Sequence, residues 1–220
     1  MDWDDLVRRE EARYVDGLAR LPDDPDRRQR QLVRVAMAAG AVGLCLLMRG
    51  DRRHAEEWLE RAAVRYRESY EDAPPESWGR LLGAVKSRLL AGDLEGARGD
   101  ARWALEQCDA GTGSAIGRYA RALSLLTLGM DEAAASIAED LEKAPEDVFP
   151  RSVARALAGL ATSDPGLYGD ALAEVLASFV DRDEYLEGVP VADTVLVLEA
   201  LAEPRGLAVR PRSPLLPVGP

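Results

Sequence analysis

Gly50-Asp51-Arg52-Arg53-His54-Ala55-Glu56-Glu57-Trp58-Leu59-Glu60-Arg61-Ala62 holds the pattern from which the fold is read. A glycine stops one helix, and the aspartate after it caps the next. Ala55, Leu59 and Ala62 stand five, nine and twelve residues after the glycine, on one face of the second helix. The same register returns three times. Gly92 is followed by Ala97, Ala101 and Ala104, Gly129 by Ala134, Ala138 and Leu141, and Gly166 by Ala171, Val175 and Ser178. The four glycines are spaced by 42, 37 and 37 residues. A glycine turn reverses the chain between two antiparallel helices, and small residues on one face let the partner helix approach closely. The remaining apolar face of such a hairpin needs a neighbouring hairpin to cover it, so the sequence predicts a stack.

Outward from these turns, almost every segment has helical periodicity. Trp78, Leu81, Leu82, Val85 and Leu89 share one helical face, as do Ile116, Tyr119, Ala120 and Leu123. Val195-Leu196-Val197-Leu198 reads as helix, because no turn signals flank it and no second strand is available to pair with it. Stop and start signals predict an all-α chain of about ten helices in one domain. A lead-in helix is expected over 3–21, repeat hairpins over 26–182, a terminal helix over 190–203 and a proline-rich tail over 204–220. Asp26 is the expected cap of the second helix, Pro74-Pro75 a break, and Gly111-Thr112-Gly113-Ser114 a loop. Five prolines keep the tail from being regular helix throughout.

With 220 residues, 47% apolar and 30% charged, the chain can bury a core without a metal or disulfide staple. Its net charge of −11 makes nucleic acid and anionic membrane poor partners and favours a basic protein partner. Of 28 basic residues only Lys86 and Lys143 are lysine. Two readings of this stand, Arg-rich codon usage in a GC-rich genome and an acidic surface adapted to a high-salt cytoplasm. Cys45 and Cys108 read as reduced, buried thiols. The acidic start Met1-Asp2-Trp3-Asp4-Asp5 does not suit a secretory signal. The longest uncharged apolar run, Val35 to Met48, has 14 residues, too short to span a bilayer as a helix. The expectation is a soluble, cytoplasmic protein.

Nothing in the sequence makes a strong case for catalysis. His54 is the single histidine and sits in the first turn of a repeat helix, where a solvated surface role is expected. The sequence has no P-loop, dinucleotide fingerprint or zinc spacing. The acidic groups Asp23/Asp24/Asp26 and Asp181/Asp183/Glu184/Glu187 read as solvated surface. The second differs from a calcium loop in carrying Leu186 where the sharp turn needs glycine. The expectation is a protein without catalytic residues, cofactor or metal. A carboxylate pair assembled only by the fold is invisible at this level.

The Gly-Asp turn and the alanines of Gly50–Ala62 and Gly92–Ala104, with a looser echo in Gly129–Leu141 and a closing Pro145, resemble the tetratricopeptide repeat family. The spacing exceeds that family's 34, and only Gly43 fits its small position in the first helix. The resemblance implies a TPR-like α-solenoid, a right-handed stack whose first helices line a concave binding side. It points to Lys86 and Tyr119 as groove-lining partner contacts. Trp78 reads either as core or as an interface anchor at the groove lip. Downstream, a final apolar helix from Pro190 is followed by Arg205-Gly206-Leu207-Ala208-Val209 and Ser213-Pro214-Leu215-Leu216-Pro217. This ending is similar to that of the immunity protein 49 family of polymorphic-toxin systems. The order Glu76-Ser77-Trp78, Ala91-Gly92-Asp93, Gly117-Arg118-Tyr119 is compatible with that family. That resemblance implies an all-helical protein that neutralises a toxin by direct binding. A TPR-like scaffold or adaptor is the alternative, and an enzyme or regulator with an unrecognised site is the third.

Overall fold

The computed structural model describes residues 1–108, 113–182, 184–185 and 188–218. Among the described residues are ten α-helices and no strand. In chain order they are α1 (Trp3–Ala19), α2 (Pro25–Met48), α3 (Arg52–Glu71), α4 (Trp78–Ala91), α5 (Leu94–Gln107), α6 (Ala115–Thr127), α7 (Asp131–Glu142), α8 (Arg151–Thr162), α9 (Pro165–Val180) and α10 (Asp193–Ala202).

Four turns of one type make the hairpins α2/α3, α4/α5, α6/α7 and α8/α9. At each, a residue in the left-handed region ends the first helix. These are Gly50, Gly92, Gly129 and Ser163, with φ of 75°, 77°, 73° and 54°. The N–H of the following residue reaches back to a carbonyl inside the helix: Asp51 to Leu46, Asp93 to Arg88, Met130 to Leu125 and Asp164 to Gly159. Asp51, Asp93 and Asp164 then accept backbone N–H groups of the next helix through their carboxylates.

The fourth turn therefore pivots on Ser163, three residues before Gly166. Asp164 is its cap, and Pro165 takes the first helical position, whose N–H needs no partner. Counted from Ser163, the face positions are Tyr168, Leu172 and Val175, each at most 1% exposed. Ala55, Leu59, Ala62, Ala97, Ala101, Ala104, Ala134, Ala138 and Leu141 are buried in the same register. Ser163 follows Gly129 by 34 residues.

Other boundaries shift for local reasons. Asp24, not Asp26, caps α2 by accepting the Arg27 N–H, with Pro25 beginning the helix. α1 stops at Ala19. α10 begins at Asp193 rather than 190, because the Ala192 N–H is taken by the Leu215 carbonyl and holds this stretch against the tail. The tail returns to the body and buries Leu216.

α3 packs between α2 and α4, α4 touches α6, and α7, α8 and α9 follow in sequence. α2 is long and apolar enough to cross a membrane, and most of that stretch is buried within the protein. α10 does not extend the stack. It turns back across α4, α8 and α9. Val195, Val197, Leu198, Leu201 and Ala202 are all buried, so α10 is enclosed on several sides.

Candidate partner-binding surfaces

Lys86 on α4 and Tyr119 on α6 face the inner side of the stack, and α10 covers them. The Lys86 ammonium pairs with Asp193 of α10 at 2.5 Å, with both side chains under 15% exposed. Tyr119 is buried against Phe149, with ring centroids 5.3 Å apart. Its hydroxyl has no hydrogen-bond partner among the described residues. Burial holds its pKa above the ordinary tyrosine value. Trp78 opens α4 about 12 Å along the axis from Lys86. It is core, 8% exposed, with its indole N–H unpartnered among the described residues. The fold thus brings Lys86 and Tyr119 together, sets Trp78 apart, and leaves none of the three on the open surface.

Two further anchors hold α10 and the tail in place. The Tyr168 hydroxyl donates to the Glu199 carboxylate at 2.7 Å, and that carboxylate also accepts the Val209 and Arg210 N–H groups. Arg205 donates to the Leu126 carbonyl at the end of α6 and pairs with Asp131 at the start of α7. Beside Lys86 lies a cavity of about 80 Å³, lined by Leu44, Phe179, Arg182, Val191 and Thr194 among others. Ligand pockets run to roughly 300 Å³ and more, so this one suits a few waters. The inner face is an interior, occupied by the chain itself.

Charge is divided unevenly along the chain. Residues 1–108 carry 19 basic and 21 acidic side chains, and residues 109–220 carry 9 and 18. In the first half arginines answer many of the carboxylates, though Glu11, Glu71, Asp72 and Glu106 make no ion pair among the described residues. Arg88 contacts Glu60, Asp93 and Asp100, and Asp100, buried, also pairs with Arg67 at 2.6 Å. In the second half Glu132, Glu139, Asp147, Asp170 and Asp181 make no ion pair among the described residues. Dividing the charge by halves finds this asymmetry from sequence, where the total of −11 hides it.

The other sequence candidates take plainer places. His54 is exposed and its Nδ1 lies 2.9 Å from the Asp51 carboxylate. Trp58 meets Tyr14 edge-on at 5.0 Å, and Trp103 meets Tyr70 at 5.3 Å, joining α1 and α5 to α3. Cys45 and Cys108 are buried. Among the described residues no group of His, Cys, Asp or Glu could hold a metal ion. Asp183, Leu186 and Glu187 of the calcium-like stretch, and Gly111 and Thr112 of the glycine loop, lie outside the described residues. No family model, curated protein or solved structure matches this chain.

Proposed function

We propose that this chain is a non-enzymatic, TPR-like helical-repeat protein that binds a basic protein partner through the outer surface of its acidic second half. The observation that carries the reading is the filled inner face. Where a helical-repeat protein would take a peptide, α10 is bonded in place through Lys86, Tyr168 and Arg205. The surplus of carboxylates in residues 109–220 supplies the attraction and speeds encounter at low salt. In its sharper form the partner is a toxin that the chain neutralises by occlusion, as its similarity to the ending of the immunity protein 49 family implies. That role asks for surface complementarity and no catalytic group.

The test is affinity capture from the native host at moderate salt, followed by native mass spectrometry of the complex. One stoichiometric basic partner bearing a toxic domain, released as salt is raised, supports neutralisation. Several substoichiometric partners favour a scaffold. An empty bait at low salt, or release that salt does not affect, counts against a basic partner.

A further inference from the structure

We draw no further inference here: the strongest candidate, the cavity of about 80 Å³ beside Lys86 at the N-terminus of α10, carries nothing, because Lys86 and Asp193 in its wall already answer each other and no buried polar group left without a partner among the described residues, Tyr119 included, lines it.

Discussion

At one end of the stack α1 lies on α2, while at the other α9 lies on α8 and is gripped by α10. The bonds at the two ends differ in reach. Glu10, fully buried on α1, is answered by Arg9 and Arg13 of its own helix. The second end is fastened by pairs that cross the molecule: Lys86 with Asp193, 107 residues apart, and Arg205 with Leu126 and Asp131, more than 70 apart. A terminal helix held mainly by the next helix in the chain opens locally, whereas an element tied to the middle of the stack opens only with that middle. The end that is held from within has few charges on its outer side, Asp170 and Glu174 being the charged residues among the exposed ones of α9.

The largest expected effect comes from cutting the longest tie. Lys86→Met leaves the Asp193 carboxylate enclosed without its cation. Breaking a mostly buried pair from one side costs about 3 kcal/mol or more. Urea unfolding should lose that much, with faster hydrogen exchange in α10 and α9 and little change in α1. The double variant Lys86→Met, Asp193→Leu should recover most of the loss. A loss below about 0.5 kcal/mol would mean that α10 is not fastened at Lys86.

Next in size is a matched pair of glycine substitutions, one at each end. A Cβ on Gly159 would lie 2.7 Å from the Tyr168 backbone nitrogen and 2.8 Å from its Cα. Backbone atoms in a tight hairpin cannot give way, so Gly159→Ala should cost about 2 kcal/mol. A Cβ on Gly17 would meet the side chains of Val35 and Gln31 instead, at 2.7 and 3.2 Å. These shift by small rotations, and Gly17→Ala should cost about 1 kcal/mol or less, offset in part by the helix propensity gained. Equal losses in thermal unfolding would remove the distinction between a backbone contact and a side-chain contact.

These residues also mark the limit of what the sequence carries. The turns at Gly50, Gly92 and Gly129 are legible because a glycine that must take positive φ, followed by small residues at fixed steps, is a local signal. Ser163 breaks that signal. A serine in the left-handed region is rare, and Gly166, three residues on, offers the glycine that the pattern asks for. The resulting shift leaves Ala171 and Val175 correctly buried and puts Ser178 where the fold has Val175. The place of α10 has no local signal. Val195-Leu196-Val197-Leu198 is apolar all round, which says that the helix is surrounded and not by what. For that reason Lys86 and Tyr119, which the repeat reading places in an open groove, are instead enclosed, Lys86 by a segment far away in sequence.

A smaller effect tests the grip of α10 on α9. Tyr168→Phe removes the hydroxyl donor to Glu199, worth about 1.5 kcal/mol for a hydrogen bond to a charged group. It also has a pH signature. Burial, and next the Glu199 carboxylate, hold the Tyr168 phenol far above its ordinary value of 10.0. A group raised in the folded state gives its full stability below the unfolded value and loses it as the pH rises further. Stability should therefore fall above pH 10, and Tyr168→Phe should flatten part of that decline, Tyr119 and Tyr70 supplying the rest. An unchanged alkaline slope in the variant would show that Tyr168 ionises as an exposed phenol does.

The smallest effect belongs to the other end and runs in the opposite direction of pH. The Asp2 carboxylate caps α1, accepting the Asp4 and Asp5 N–H groups at 3.0 and 3.1 Å. Chiefly the Asp5 backbone bond holds its pKa below the ordinary 3.8. A carboxylate depressed in the folded state contributes above its unfolded value and ceases to as the pH falls through the folded one. Acid below about pH 3.8 should therefore release the first turn of α1. Because α1 is held mainly by α2, with Tyr14 reaching Trp58 of α3, amide exchange should accelerate there while α9 and α10 keep their protection, and Asp2→Asn should remove most of the pH dependence. Simultaneous loss of protection in α1 and α9 would show that the two ends unfold as one unit, and the difference drawn between a locally held end and a cross-tied end would disappear.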